Sequence, residues 1–173
     1  PRFRFGLDLG VEWKGIDFSM FWQGVAKRDL WLDGPMFWGI SGGEWQSTGL
    51  KEHLDYYRPE NTTSVFGPNT NAYFPKMYMS KDMNQKVQTR YLQNGAYARL
   101  KNIQLGYTFP TQIINKLHMQ KLRVYVSAEN VLTITSLPSG FDPETTYSSY
   151  SDGNSGKTYP LQTTISFGLH ATF

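Results

Sequence analysis

Over the first thirteen residues apolar and polar side chains alternate almost without a break. Phe3, Phe5, Leu7, Leu9, Val11 and Trp13 fall on one side, and Arg2, Arg4, Gly6, Asp8, Gly10 and Glu12 on the other. A period of two is that of a β-strand with one apolar face. After a tight Lys14-Gly15 turn the alternation resumes, with Ile16, Phe18, Met20 and Trp22 opposite Asp17, Ser19 and Gln23, and with Phe21 out of step. A third strand is predicted over 97–109, where Ile103, Leu105, Tyr107 and Phe109 share a side before Pro110 ends the run. In a fourth, Leu122, Val124, Val126 and Ala128 alternate with Arg123, Tyr125, Ser127 and Glu129. The fifth closes the chain, with Leu161, Ile165, Phe167, Leu169, Ala171 and Phe173 on one face and Thr163 as the polar member of that face.

The connections alternate between short and long. Residues 1–24 carry two strands and a tight turn, 25–96 a long loop, 97–131 two strands joined by a turn at 110–120, 132–159 a second long loop, and 160–173 the last strand. The first loop is rich in Gly, Pro, Asn, Trp and Tyr, with one short helix expected about residues 49–57. A structureless loop of that length is abnormal in a compact domain, so it is either functional or an argument against a compact domain. Strict alternation puts both short turns at one end of the sheet, the asymmetry of a transmembrane β-barrel. Trp13, Phe109 and Phe173 stand at the short-turn ends of their strands and Trp22 at the opposite end. Rings at strand ends with aliphatic residues between them form the girdles of a wall that faces lipid, whereas a soluble sandwich buries its largest rings in mid-strand. Arg2 to Trp13 is also long enough for a tilted strand to cross a bilayer. Five strands cannot close a barrel, and open edges are not tolerated in lipid. The chain opens at Pro1 in mid-strand, so the remaining strands are expected upstream.

Composition sharpens this picture at three points. Aromatic residues make up 16% of the chain, as 11 Tyr, 11 Phe and 5 Trp, which is high for a routine globular domain. Cysteine is absent, so neither disulfides nor thiolate metal sites enter. The 17 basic residues are scattered and the net charge is only +3, which argues against nucleic acid as a partner.

Several blocks, in this order and spacing, resemble the C-terminal part of SusC/RagA-family TonB-dependent outer-membrane transporters of the Bacteroidetes. They are Phe5-Gly6-Leu7-Asp8-Leu9-Gly10 with Lys14-Gly15-Ile16-Asp17-Phe18-Ser19, then Tyr57-Arg58-Pro59-Glu60-Asn61 and Ala72-Tyr73-Phe74-Pro75-Lys76. Next come Gly95-Ala96-Tyr97-Ala98-Arg99-Leu100-Lys101-Asn102-Ile103-Gln104-Leu105-Gly106-Tyr107, Ala128-Glu129-Asn130-Val131-Leu132-Thr133, Gly140-Phe141-Asp142-Pro143-Glu144 and Tyr159-Pro160-Leu161. The family often has Trp where Tyr57 stands and Arg where Lys76 stands. The resemblance implies an all-β fold, the last five antiparallel strands of a barrel of roughly 22 strands with long extracellular loops. It also implies import of oligosaccharides or peptides across the bacterial outer membrane with a SusD-like surface lipoprotein. Energy coupling to a TonB-type protein would run through an N-terminal region upstream. The last residues, with Ser166, Gly168, Ala171 and Phe173 in a polar-x-Gly-x-x-hydrophobic-x-Phe pattern, resemble the signal read by the outer-membrane barrel assembly machinery.

Chemistry beyond transport has little support in the sequence. Arg4, Asp8, Glu12, Asp17, Arg123 and Glu129 would line a polar lumen, with no pair of carboxylates set at a catalytic separation, so no enzyme is expected. His53, His118 and His170 share no ligand spacing, so neither metal nor cofactor is expected. Ser151–Gly156 hints at a calcium loop but lacks the closing bidentate Glu. Loop rings are the candidates for substrate or partner contact: Trp31, Trp38, Trp45, Tyr56, Tyr57 and Tyr147. Tyr and Trp join a large apolar body to a polar handle, which suits sugar stacking or a protein partner. The competing reading is that these rings pack the loop against itself. The alternative for the whole chain is a secreted carbohydrate-binding β-sandwich, with its apolar faces buried against each other.

Overall fold

The computed structural model describes residues 1–39, 49–77, 84–146, 156 and 158–173. The chain divides into two compact units. One comprises Pro1–Asp29, Asn94–Leu137 and Leu161–Phe173, and the other Leu30–Gln93 and Pro138–Pro160.

The first unit is a five-stranded antiparallel sheet of β1 (Arg4–Trp13), β2 (Ile16–Val25), β5 (Tyr97–Thr108), β6 (Lys121–Thr135) and β7 (Thr164–Thr172). Two short strands, β3 (Asp29–Leu30) and β4 (Gln93–Asn94), pair with each other. Every neighbour in the large sheet is the next long strand in the chain, so the sheet is a meander.

Register turns the alternation of single strands into two continuous faces. On one face lie the rows Trp13–Ile16–Tyr107–Val124–Leu169, Val11–Phe18–Leu105–Val126–Phe167 and Leu9–Met20–Ile103–Ala128–Ile165. Each row is apolar across all five strands. On the other face lie Glu12–Asp17–Gly106–Tyr125–Gly168 and Gly10–Ser19–Gln104–Ser127–Ser166. A one-residue slip would exchange the faces, so the pattern itself fixes the register.

The register shifts once. Phe21 pairs with Asn102 and Trp22 with Leu100, while β6 answers with Leu132 opposite Leu100 and Glu129 opposite Asn102. Lys101 is the extra residue on β5, and Asn130 on β6 takes a left-handed φ of 53°. This bulge brings Leu100 onto the apolar face opposite Trp22 beyond the irregularity.

The turns are as tight as the sequence indicates. Lys14 and Gly15 both have positive φ, 48° and 87°, the geometry of a two-residue hairpin turn whose twist matches the strands. Pro110 ends β5 and starts a single helical turn, α1 (Thr111–Ile114), followed by a 3₁₀ turn at Asn115–Leu117 and left-handed His118. The backbone N–H of Gln120 then donates to the Thr172 carbonyl at 2.7 Å, setting the start of β6 beside the end of β7.

The second unit is built on rings. Phe37 and Trp38, in the one-turn helix Pro35–Trp38, pack edge-on against each other at 5.0 Å, and Trp38 against Tyr91 at 4.8 Å. Phe74 meets Phe37 at 5.6 Å and His53 at 5.5 Å, and Phe141 from the second long loop meets Phe37 at 6.5 Å. The helix expected about 49–57 is instead one 3₁₀ turn, Lys51–Leu54. After it the backbone has better partners: Tyr56 bridges Phe74 and Arg58 bridges Asn69. Both Asp55 carboxylate oxygens accept bonds from residues 69 and 73, and Pro59 holds Arg58 extended. Among the described residues no helix is long and apolar enough to cross a membrane, which says nothing of strands.

Candidate functional site

Three features of the described residues can carry function: the apolar face, the polar face and the ringed loop unit. The apolar face is uncovered. Leu7 (49% exposed) on β1, Leu105 (50%) on the central strand β5 and Phe167 (85%) on β7 all lie open on it, with Trp13 (63%) at its short-turn end. A patch spanning five strands far exceeds what soluble monomers leave open to water, so it calls for an apolar surrounding.

On the polar face a chain of contacts crosses the sheet near its short-turn end. Arg123 of β6 donates from Nε to Asp17 of β2 at 2.9 Å and through a second guanidinium nitrogen to the other carboxylate oxygen. The bond is bidentate, the geometry in which arginine binds carboxylate most strongly. It passes over β5 because the residue between is Gly106, where a Cβ would come within 2.5 Å of both partners. The same guanidinium lies 4.8 Å from the Tyr125 ring centre. That ring in turn covers Gly168 of β7, where a Cβ would sit 2.1 Å from a ring carbon. Four strands are thus tied by Asp17, Arg123 and Tyr125 through two positions where any side chain would intrude.

Glu12 stands directly opposite Asp17. Like charges so placed repel, and Arg123 offsets that repulsion from two strands away. The sequence had placed Asp17 and Arg123 in one polar set without pairing them. Gly106, Tyr125 and the coupling of the pair went unseen. The one available signal was Gly106 itself, a glycine within an otherwise regular strand.

In the loop unit Trp38 is 3% exposed and lies within the ring cluster, with Trp31 tilted against it at 5.8 Å. Its indole N–H is buried and has no hydrogen-bond partner among the described residues. Trp31 is half-buried, Tyr56 is half-buried beneath the Arg58 guanidinium at 4.6 Å, and Tyr57 is exposed. Trp45 and Tyr147 lie outside the described residues, as do Ser151–Ser155 of the calcium-like stretch. The structure therefore brings Trp31 and Trp38 together and leaves Tyr57 free on the surface.

The loop is ordered by two residues that the sequence did not single out for this. His53 is 3% exposed; its Nδ1 accepts from the Leu50 N–H at 2.8 Å, and its Nε2 meets the Phe37 carbonyl at 3.0 Å. This arrangement requires the Nε2–H tautomer and leaves no nitrogen for a metal. Buried Arg58 donates to the carbonyls of Leu54 at 2.7 Å and Gly67 at 2.5 Å, closing the 54–67 segment on itself.

The candidate assembly residues lie along β7. Ser166 pairs with Ser127, Gly168 lies under Tyr125, Ala171 pairs with Leu122 on the apolar face, and Phe173 extends past the strand with its ring exposed. Gly168 thus has a packing reason to be glycine within the sheet itself.

Comparison with known proteins places these features. No family model matches the chain. It is 27% identical to TonB-dependent receptor P3 of Formosa agariphila across the whole of this chain, and 25% identical to TonB-dependent receptor P26 of the same organism. It spans only 16% and 17% of the lengths of those relatives. Among solved structures it is similar to the RagAB peptide importer in its closed-closed state, with a TM-score of 0.66 and 24% identity over 98% of this chain and 17% of that one. A second RagAB structure, described as a peptide transporter, matches at 26% identity over 97% of the chain with a TM-score of 0.65. The homologues of this chain are TonB-dependent receptors, and its five-stranded antiparallel sheet matches part of the barrel of RagA-like receptors.

Proposed function

We propose that residues 1–173 form five consecutive wall strands of a TonB-dependent nutrient importer of the bacterial outer membrane, apolar face to lipid and polar face to the lumen. The observation that carries this reading is the uncovered apolar face, unbroken across all five strands. Strand length supports it. Ten residues of β1 at about 3.4 Å each, tilted by about 40°, rise about 26 Å, the height of the apolar band of an outer-membrane barrel. Among the described residues no strand pairs with the outer edges of β1 and β7, which supports the presence of further strands, because open edges are not tolerated in lipid.

The importer takes up oligosaccharides or peptides with a SusD-like lipoprotein over the long-loop end, and a TonB-type coupler acts through the part of the receptor outside this chain. The RagAB resemblance supports the two-component arrangement. Barrel assembly would begin from β7, with Ser166, Gly168, Ala171 and Phe173 presented to the assembly machinery. Within the loop unit, Tyr57, Tyr56 and Trp31 remain open to cargo or partner, while Trp38 acts from the interior by holding the rings together.

The carbohydrate-binding sandwich would need a second layer over the apolar face, and the exposure of Leu105 and Phe167 weighs against one. The test is uptake by the intact receptor in its native host. Deleting the gene should abolish energised accumulation of one labelled oligosaccharide or peptide class, and inactivating the TonB-type coupler should do the same. Recovery of the intact protein from the soluble fraction, with uptake unchanged, would overturn the reading.

A further inference from the structure

The loop unit buries a cation that no acid answers. Arg58 is 8% exposed and clamped by carbonyls. Its Nε donates to Gly67 at 2.5 Å, and its Nη1 donates to Leu54 at 2.7 Å with the Tyr56 carbonyl at 3.5 Å. The Tyr56 ring centre lies 4.6 Å from the guanidinium carbon and that of Phe66 lies 5.9 Å away. The backbone is fixed as well, since the peptide groups of Arg58 and Asn69 exchange hydrogen bonds of 3.0 and 2.9 Å. Carbonyl dipoles and ring faces steady a positive charge without neutralising it, and a buried charge is costly until it is paired.

Carboxylates stand close by in sequence and are kept away. Glu52, Asp55 and Glu60 lie within six residues of Arg58, yet among the described residues no carboxylate bonds to it. The two Asp55 oxygens accept instead from the Asn69 side-chain amide at 2.8 Å and the Tyr73 N–H at 3.2 Å. The remaining guanidinium nitrogen, Nη2, makes no hydrogen bond among the described residues and is open to solvent. It carries two N–H donors. Because Nε and Nη1 are tied down, Nη2 cannot swing away, so the donor is set before anything binds. Closure of the 54–67 segment accounts for Nε and Nη1 and leaves Nη2 unused.

We infer that Arg58 Nη2 is a binding point for a carboxylate group of the cargo, which completes the bonding of the guanidinium and pairs its charge. The site rests on the reading of the loop unit as open to cargo. A carboxylate is the match because its bonds to a guanidinium are about twice as strong as those of a neutral acceptor. That group is common to acidic peptides and uronic oligosaccharides, and the two are told apart by matched probes.

The test titrates the full-length receptor, purified in detergent, with two matched pairs of labelled probes. One pair is a short end-capped peptide with a central Glu and the same peptide with Gln; the other is a glucuronate oligomer and its methyl ester. In one pair the acid should bind about tenfold more tightly than its neutral partner. Hydrogen exchange across residues 54–69 should slow with that acid and stay unchanged with the neutral probe. Arg58→Gln should bring the acid down to the affinity of its neutral partner. Equal affinity within both pairs in wild type would overturn the site without recourse to a variant. Exchange at 54–69 that ignores the acid would do the same, and is the result expected if a carboxylate elsewhere in the receptor already occupies Nη2. An acid preference that survives Arg58→Gln would also overturn it. Binding needs no energised membrane, so an acid preference without any uptake would uphold the site and overturn the importer. Uptake without an acid preference would do the reverse.

Discussion

Asp17 and Arg123 are 106 residues apart in sequence, yet they form a bidentate ion pair across the polar face of the sheet. The pair skips a whole strand and is possible only because Gly106 places no side chain between its members. Both side chains are partly exposed, 21% for Arg123 and 24% for Asp17, so the interaction is worth less than a buried pair. Its effect is to lock β2, β5 and β6 in one register where Glu12 and Asp17 would otherwise repel.

Gly106→Val should therefore break the pair and destabilise the receptor by about 2 kcal/mol, combining lost attraction with steric displacement. Asp17→Asn keeps the shape and should cost about 1 kcal/mol. Gly10→Ala is the control, since its nearest contact is a backbone oxygen at 4.0 Å, and it should stay within about 0.5 kcal/mol of wild type. Urea unfolding of the detergent-purified receptor measures all three. A Gly106→Val variant as stable as Gly10→Ala would show that the pair locks nothing.

Gly168 has two explanations, and they separate by rescue. If its role is to admit the Tyr125 ring, Gly168→Ala should impair barrel assembly, and adding Tyr125→Ala should restore it. If the assembly machinery reads Gly168 directly, the second change should give no recovery. The amount of heat-modifiable, folded barrel in the outer membrane is the readout. Given the 2.1 Å approach, rescue is the expected result.

In the loop unit the expectation differs from ring to ring. Trp38→Ala empties the centre of the cluster and should cost about 3–5 kcal/mol of local stability, exposing residues 30–93 to protease. His53→Ala, which removes two backbone links, should act in the same direction by about 2 kcal/mol. Tyr57→Ala should leave protease resistance unchanged and alter uptake alone. Limited proteolysis beside transport assays distinguishes them, and a protease-sensitive Tyr57→Ala would place that ring in the packing instead.

The strands were legible because each carries its own face in a period of two, and the short turns announce themselves as Lys14-Gly15 and Pro110. The bulge was not, because Leu100 falls out of step with Ile103 without saying whether a residue is inserted or a face is simply polar there. The pairing of Trp22 with Leu100 identifies Lys101 as the extra residue. The Asp17–Arg123 pair was illegible for a related reason: it depends on which strands lie two apart, a property of the sheet rather than of any segment. In the loop, Trp38 and Tyr57 look equivalent as sequence. Their different burial follows from the bridges Tyr56–Phe74 and Arg58–Asn69, which replace the expected helix and turn Phe74 into the cluster.

The most direct test of the membrane wall is single-cysteine labelling, since residues 1–173 contain no native cysteine and any elsewhere in the receptor can first be replaced by serine. Leu7→Cys, Leu105→Cys and Phe167→Cys, placed one at a time in the full receptor in native membranes, should react with a membrane-dissolved maleimide and resist a charged aqueous thiol reagent. Gln104→Cys and Ser127→Cys, one step out of register, should show the reverse. Reaction of both sets with the aqueous reagent would mean that the apolar face does not meet lipid, and the account of this chain as a barrel wall would fail.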